Sequence, residues 1–258
     1  MKAFLLAGGL GTRLRPITDK VPKCLVPIRG TPLLNIWLDL CFRSGITEVL
    51  INLHAHAETI EQYLRKLDSP VQVRVVHEEQ LLGSAGTLAA NRSWVENDPA
   101  FWILYSDVLT KANLCRMAEF HSSRSHDGRL ATLGLYRVPD PSRCGVAISD
   151  SNGVIIGFEE KPQLPRSNWV FSGLMVATPG FLDLIPRSLP ADIAFDVLPR
   201  MLGKMMAYPI HDYLLDIGTI SNYQKAQITW PGSGSEGLTP ESADSAASPS
   251  GIGRAERL

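Results

Sequence analysis

Apolar residues fall along the first hundred positions in two alternating periods. KAFLLA (2–7) is a continuous apolar run ending in glycines, the pattern of a strand buried on both faces of a parallel sheet. PLLNIWLDLCFRSG (32–45) carries its apolar residues at helical spacing, with Pro32 near the start and Gly45 at the end. TEVLINL (47–53) predicts the next strand, AETIEQYLRKL (57–67) the next helix and VQVRVVH (71–77) a third strand. After a turn at Gly83, SAGTLAANRSWV (84–95) reads as a helix, and FWILYS (101–106) as a fourth strand that stops at Asp107. Strands alternating with helices predict a parallel sheet with right-handed crossovers.

The pattern changes after Arg129. ATLGLYRV, GVAISD, VIIGFEEK and WVFSGLMV read as strands, separated by turns at Pro139–Pro141, Ser151–Gly153 and Pro162–Pro165. Short helices are expected around 179–185 and 193–202, late strands at AYPI and YLLDIG, and a last helix at SNYQKAQI. The sheet is therefore expected to be mixed, with an inserted β-rich portion. From Pro231 onward the chain is rich in Gly, Ser, Pro, Ala and Glu, so residues 1–230 are read as the folded domain and 231–258 as a disordered tail. No internal repeat is visible, and no hexapeptide pattern of a β-helix.

Composition removes several classes of function. A length of 258 residues suffices for one large α/β domain or two small ones. The formal net charge is −1, which gives no electrostatic case for nucleic-acid binding. No apolar run approaches the length that crosses a bilayer. The start MKAFLLAGGLG has an apolar stretch too short for a signal peptide, followed at once by Arg13 and Arg15, so a cytoplasmic protein is expected. Cys24, Cys41, Cys115 and Cys144 are scattered and form no C-x-x-C pair, as expected of free thiols in a reducing compartment. His54 and His56 alternate at strand spacing, but no third metal ligand is suggested by spacing.

Candidate chemistry starts at LAGGLGTRLRPITDKVPK (6–23). The dinucleotide pattern G-x-G-x-x-G fails because Leu14 stands at its third glycine, and the P-loop pattern is absent. Physical features remain. Gly8, Gly9 and Gly11 let backbone N–H groups approach an anion closely. Arg13 can grip phosphate oxygens as a fork, and Lys23 offers a compact charge. Pro16 and Pro22 stiffen the loop. A glycine turn with solvated basic side chains is the plainer reading. The loop's place, after the first strand of a parallel sheet and so at the carboxyl edge, favours ligand binding.

GGLGTRLRPITDKVPK resembles the signature of the sugar-1-phosphate nucleotidyltransferases, which runs G-x-G-T-R, a spacer and P-K. The resemblance continues in order through EEQLLGSAGTL (78–88), SD (106–107), CGV (144–146), FEEKP (158–162), FSGLMV (171–176) and DIGT (216–219), covering about residues 1–228. It implies a Rossmann-like three-layer α/β sandwich with a mixed, mostly parallel central sheet and an inserted β-rich sugar-binding portion. It also implies a reaction joining a nucleoside triphosphate to a sugar 1-phosphate with release of pyrophosphate. By the same resemblance, Gly8, Gly9, Gly11 and Thr12 with Arg13 hold the triphosphate, and Lys23 reaches the α-phosphate. Gly83 belongs to the nucleotide side. Asp107 and Asp216 would hold Mg²⁺, a hard cation suited to carboxylate and phosphate oxygens. Glu160 would accept from sugar hydroxyls, Lys161 would pair with the sugar phosphate, and Gly145 and Gly173 would line the sugar. Taken alone, each aspartate is more often a turn or cap residue, and EEK is more often a solvated charged run. Two departures stand out. Phe171 replaces the family's usual asparagine, and Ser106 stands where glycine commonly precedes the metal aspartate.

Base and sugar are less constrained. Relatives using uridine or thymidine triphosphate commonly place glutamine five residues before the glycine of L-G-[ST]-A, and here that position is Glu78. A carboxylate only accepts, which suits the two neighbouring donors of guanine better than a pyrimidine carbonyl. Alternatively, Glu78 is a strand-end residue, and Glu79 or a backbone group reads the base. The expectation is a guanylyltransferase acting on mannose 1-phosphate or a manno-configured heptose 1-phosphate, of the short form without a β-helix. A uridylyl- or thymidylyltransferase for another sugar, such as glucose 1-phosphate or N-acetylmuramic acid 1-phosphate, is the nearest alternative. A non-catalytic nucleotide-sugar sensor would be expected to lose Lys23 or a metal aspartate, and all are present. A metal-dependent glycosyltransferase would call for D-x-D after the fourth strand, which Ser106-Asp107-Val108-Leu109 does not supply. The expected partners are NTP and sugar 1-phosphate, with no nucleic acid and no membrane, in a monomer or homo-oligomer with a dimer favoured.

Overall fold

The structure is a computed structural model that describes residues 1–124 and 128–232. The first part alternates as the periods predict: β1 (Lys2–Leu6), a small ribbon of β2 (Pro27–Ile28) and β3 (Thr31–Pro32), α1 (Leu33–Arg43), β4 (Glu48–Leu53), α2 (Ala57–Lys66), β5 (Gln72–His77), α3 (Gly83–Ala90) and β6 (Phe101–Tyr105). After them come β7 (Val108–Thr110), α4 (Leu114–Arg124), β8 (Ala131–Arg137), β9 (Gly145–Ser149), β10 (Ile155–Glu160), β11 (Trp169–Ala177), β12 (Met205–Pro209), β13 (Leu214–Asp216) and α5 (Ile220–Thr229).

β1 lies in the middle of the sheet, parallel to β4 and β6, and β4 is parallel to β5. β11 runs antiparallel to β6 and to β8, and β12 pairs parallel with β8. The β9–β10 hairpin joins the first half of β11 through Val170 and Val146. The sheet is thus mixed and mostly parallel, with a β-rich addition, as expected. Successive residues of β1 show the three layers. Ala3 and Leu5 enter one core with Trp37, Trp102 and Trp230, while Phe4 enters the other with Leu88, Phe101 and Phe181. Phe4 meets Trp94 and Phe101 edge to face at 5.1 and 5.7 Å. Truncating it to alanine would cost about 3–5 kcal/mol.

The structure departs from the sequence reading in several elements. The helix expected over 84–95 stops at Ala90, because the Asn91 side chain turns back to the Thr87 carbonyl at 2.9 Å, and a 3₁₀ turn follows at Arg92–Trp94. α4 has no counterpart in that reading, since one of its three buried positions is His121 beside Leu114 and Met117. The segment around 179–185 is a 3₁₀ helix, Pro179–Leu184. The 193–202 segment is a π turn, Ile193–Val197, followed by a 3₁₀ turn, Leu198–Met201, whose Pro199 has no N–H to continue an α-helix. The tail expected from 231 lies outside the described residues from 233 onward. All four cysteines are free, and no helix among the described residues is long and apolar enough to cross a membrane.

Candidate active site

The loop after β1 and the ends of β4, β5 and β6 meet at the carboxyl edge of the parallel strands, where such sheets bind ligands. Two cavities open there. A pocket of about 290 Å³ is lined by Gly8, Gly9, Lys23, Glu78, Gly83 and Asp107. A larger cleft of about 650 Å³ is lined by Arg13, Asp107, Gly145, Glu160, Lys161, Gly173 and Asp216. Tyr105 and Asp107 belong to both, so the cavities meet at the end of β6. Gly11 and Thr12 line neither; they form the turn that carries Arg13, with Gly11 as its N-cap.

The smaller pocket is braced by a buried polar network. Asn52 Oδ1 accepts from the Ala7 N–H at 2.8 Å, and its Nδ2 donates to Glu78 Oε1 at 3.0 Å. Thr87 Oγ1 donates to the same oxygen at 2.5 Å, and the Leu82 N–H donates to Glu78 Oε2 at 3.1 Å. Glu78 is only 7% exposed. Its Oε1 therefore has both lone pairs occupied, and Oε2 keeps one for a ligand. Gly83 closes the far side. Its φ is +78°, and a Cβ there would come within 2.2 Å of the Ala191 carbonyl oxygen, so only glycine fits.

At the junction Lys23 Nζ donates to Asp107 Oδ2 at 2.5 Å. β13 pairs antiparallel with β7 and sets Asp216 opposite Val108, while the Ile217 N–H bonds the Asp107 carbonyl at 2.9 Å. This ribbon brings the two distant aspartates together. Asp216 Oδ1 accepts from the Gly218 N–H at 2.5 Å, and the Arg13 guanidinium lies over Gly218. Burial raises the Asp216 pKa, the Asp107 charge raises it further, and Lys23 and Arg13 oppose both. Two neighbouring carboxylates, one of them largely desolvated, favour a bound cation. Their hard oxygens fit Mg²⁺, which binds through one or two carboxylates plus phosphate oxygens. No cluster of three or more His, Cys, Asp or Glu ligands occurs among the described residues, so an all-protein metal cage is not formed there.

Glu160 and Lys161 enter the cleft from the end of β10. Lys161 has a left-handed φ of +52°, held by its N–H to the Cys144 carbonyl at 2.9 Å. Its Nζ lies 3.4 Å from Glu160 Oε1 and 5.2 Å from the Phe195 ring centre. Burial raises the Glu160 pKa, and Lys161 lowers it. Gly145 makes room for that carboxylate, since a Cβ would lie 2.6 Å from Glu160 Oε2.

The structure thus gathers Arg13, Lys23, Asp107 and Asp216 at the junction, Gly8, Gly9, Glu78 and Gly83 on one side, and Gly145, Glu160, Lys161 and Gly173 on the other. It adds residues that sequence reasoning missed. Asn52 had a signal, being a polar residue inside the apolar strand VLINL. Ser84 lay inside a quoted motif without being singled out. Tyr105 and Asp192 carried no pattern. Asp192 accepts from the Ala194 and Phe195 N–H groups with Oδ1 and from the Ser84 hydroxyl with Oδ2.

A mixed sheet with a glycine loop at its carboxyl edge and paired aspartates between two cavities is the architecture of a nucleotidyltransferase. The Nucleotidyl transferase family model matches residues 2–230, and the chain belongs to that family. It is 34% identical over 224 residues to mannose-1-phosphate guanyltransferase beta-A of Xenopus laevis, covering 84% of this chain and 61% of the relative. It is 33% identical over 222 residues to the mannose-1-phosphate guanylyltransferase catalytic subunit beta of Drosophila melanogaster, covering 84% and 59%. The chain therefore spans about three-fifths of the length of these relatives. Solved structures share the fold. HddC from Yersinia pseudotuberculosis superposes with TM-score 0.74 at 24% identity, covering 88% of this chain and 98% of that one. UDP-glucose pyrophosphorylase from Acinetobacter baumanii superposes with TM-score 0.76 at 23% identity, covering 88% and 92%.

Proposed function

We propose that the protein transfers a nucleoside monophosphate from an NTP, with GTP favoured, to a sugar 1-phosphate, with mannose 1-phosphate or a manno-configured heptose 1-phosphate favoured. One observation carries this reading: Asp107, bonded to Lys23 and facing Asp216, stands where two cavities meet. A phosphate oxygen of the sugar would form a bond to the α-phosphorus. The bond from that phosphorus to the β-phosphate oxygen would break, and pyrophosphate would leave with the electron pair. The attacking oxygen is already an anion, so no general base is required. The work left to the protein is holding two polyanions in line and compensating their charge.

In this reading Gly8 and Gly9 let the backbone approach the triphosphate, with Gly11 and Thr12 setting the loop and Arg13 meeting the leaving phosphates. Lys23 exchanges its bond to Asp107 for the α-phosphate. Asp107 and Asp216 would hold Mg²⁺, which when bound supplies positive charge to the phosphate oxygens. Lys161 pairs with the sugar phosphate, and Glu160 accepts from sugar hydroxyls. Gly145 and Gly173 give the sugar room. Support for GTP comes from the relatives' names. Glu78 does not separate the bases: with Oε1 filled by Asn52 and Thr87 and Oε2 taken once by the Leu82 N–H, the pair of acceptors expected for guanine is reduced to one, which suits a guanine N–H and a pyrimidine N3–H alike. We place the protein in the cytoplasm, as a monomer or homo-oligomer with a dimer favoured.

Pyrophosphate release measured over a matrix of nucleoside triphosphates and sugar 1-phosphates tests the reading. Turnover with GTP and a manno-configured acceptor is expected. Strong turnover with UTP and none with GTP removes the guanine assignment. No release with any pair, alongside nucleotide-sugar binding, would favour a non-catalytic sensor.

A further inference from the structure

We propose that the acceptor cleft is shaped for a deoxygenated sugar. The sugar 1-phosphate used best lacks a hydroxyl on the carbon that meets the ring of Phe171. This rests on the transferase reading above and revises its choice of acceptor: fully hydroxylated mannose 1-phosphate is then used, but less well than a deoxy relative.

The wall around Phe171 is built of carbon. Phe171, at the start of β11, packs edge to face on Tyr105 with ring centres 5.8 Å apart, and both line the cleft with Val108. The backbone of Gly173 is pressed against them: a Cβ there would lie 3.0 Å from Tyr105 Cβ and 3.1 Å from Val108 Cγ2. Three rigid apolar surfaces therefore stand together in a site meant for a polyhydroxylated ligand.

Two polar groups beside this wall are turned away from it. Ser172 Oγ accepts from the Leu174 N–H at 3.1 Å, and Ser172 is only 3% exposed. The Tyr105 hydroxyl is itself buried, beside Ser84, so this residue gives the cleft its ring and not its oxygen. The Asp192 carboxylate takes two hydrogen bonds on Oδ1, from Ala194 and Phe195, and one on Oδ2 from Ser84, so it keeps a single Oδ2 lone pair for the cleft. Groups suited to phosphate and hydroxyls, Glu160 and Lys161, come from β10 instead.

A hydroxyl pressed on the Phe171 ring would lose its water and gain no partner. A C–H or methyl group would lose nothing and would gain contact with the π face. An apolar pocket discriminates against an added hydroxyl by roughly tenfold to a hundredfold in kcat/KM.

The test measures kcat/KM with saturating GTP for mannose 1-phosphate and glucose 1-phosphate, and for the monodeoxy analogues of each. At least one deoxy analogue should exceed its parent by about tenfold. Phe171→Asn supplies a donor and an acceptor and should reverse that ratio in favour of the parent. Phe171→Leu keeps an apolar wall and should preserve it. A wild-type preference for the parent over every analogue overturns the inference, as does an unchanged ratio in Phe171→Asn. If that variant does not fold, the wild-type ratios still decide. If GTP gives no pyrophosphate, the same acceptors are run with UTP and dTTP; no pyrophosphate from any triphosphate overturns the transferase reading itself, and the inference with it.

Discussion

The Ser84 hydroxyl donates to Asp192 Oδ2 at 2.8 Å, and this bond ties the wall of one cavity to the wall of the other. Ser84 lies at the start of α3 on the nucleotide side. Asp192 caps the turn that carries Phe195, whose ring lies under Lys161. The Ile193 N–H returns to Ser84 Oγ at 2.8 Å, and the Ala85 N–H reaches the Ala191 carbonyl at 2.9 Å. The nucleotide loop therefore sets the position of a residue that shapes the sugar-phosphate side.

Ser84→Ala should act mainly on the cavity Ser84 does not line. Loss of one hydrogen bond to a carboxylate is worth about 1.5–3 kcal/mol, or roughly 10- to 100-fold. The KM for sugar 1-phosphate should rise by an amount in this range, with a smaller rise in the KM for NTP. Ser84→Thr keeps the hydroxyl and should restore the acceptor KM. Steady-state kinetics with each substrate varied in turn checks this. Equal rises in both KM values, or no rescue by threonine, would leave the bridge a purely structural contact.

Gly83→Ala should be among the most destabilising single-methyl additions in the chain. The left-handed φ costs a non-glycine residue about 1–2 kcal/mol, and the clash with the Ala191 carbonyl adds about 1–3 kcal/mol. At about 2–4 °C per kcal/mol for a chain of this size, Tm should fall by roughly 4–20 °C in a circular-dichroism melt. A Tm within a degree of wild type would contradict the geometry at Gly83.

Gly83 also shows where sequence reading stops. Its place in a turn before a helix is legible from Leu82-Gly83-Ser84-Ala85, but the carbonyl that forbids a side chain comes from Ala191, which no local pattern announces. The same holds for the aspartate pair. Asp107 follows an obvious apolar strand and Asp216 ends the late strand expected at YLLDIG, yet their approach depends on the pairing of that strand with β7, which is three residues long and too short for a period to appear. The strands β1, β4, β5 and β6 were legible because they are apolar over their whole length or alternate cleanly. α4 was not, because His121 occupies a core position where a helical stripe would show an apolar residue. Glu78 was legible as a pocket residue, but its bonds to Asn52 and Thr87 join parts of the chain that only the fold brings together.

Lys23 and Asp107 should separate chemistry from binding. Lys23→Met removes the cation proposed to face the α-phosphate and should lower kcat by about 10²–10³-fold, in the range seen when one preorganised charge-stabilising donor is lost. KM for the sugar 1-phosphate should change far less. Asp107→Asn should weaken activation by Mg²⁺, so that the Mg²⁺ concentration for half-maximal rate rises. Chelation by EDTA should abolish wild-type turnover, and added Mg²⁺ should restore it. Rates measured across a Mg²⁺ titration check all three. Unchanged turnover in Asp107→Asn would remove this residue from the metal assignment.

His121 should make the fold sensitive to mild acid. The ring is 2% exposed, its Nδ1 lies 3.0 Å from Thr132 Oγ1, and its Nε2 is buried without a partner. Burial lowers its pKa from the ordinary 6.5 to about 4. Above pH 6.5 neither the folded nor the unfolded chain holds the proton, and His121 adds no pH dependence. Between 6.5 and about 4 the unfolded chain binds it and the folded chain does not, so stability falls as pH drops through this window. Asp216 and Glu160, whose pKa values are raised on folding, act in the opposite direction, but they are common to wild type and variant. His121→Gln retains a polar group toward Thr132 and cannot titrate. Its Tm at pH 7 should lie at or below that of wild type, and its Tm should fall less between pH 7 and pH 4.5. Thermal melts of both proteins across that range measure the difference. Parallel curves would mean that His121 takes up its proton in the folded state as readily as in the unfolded one.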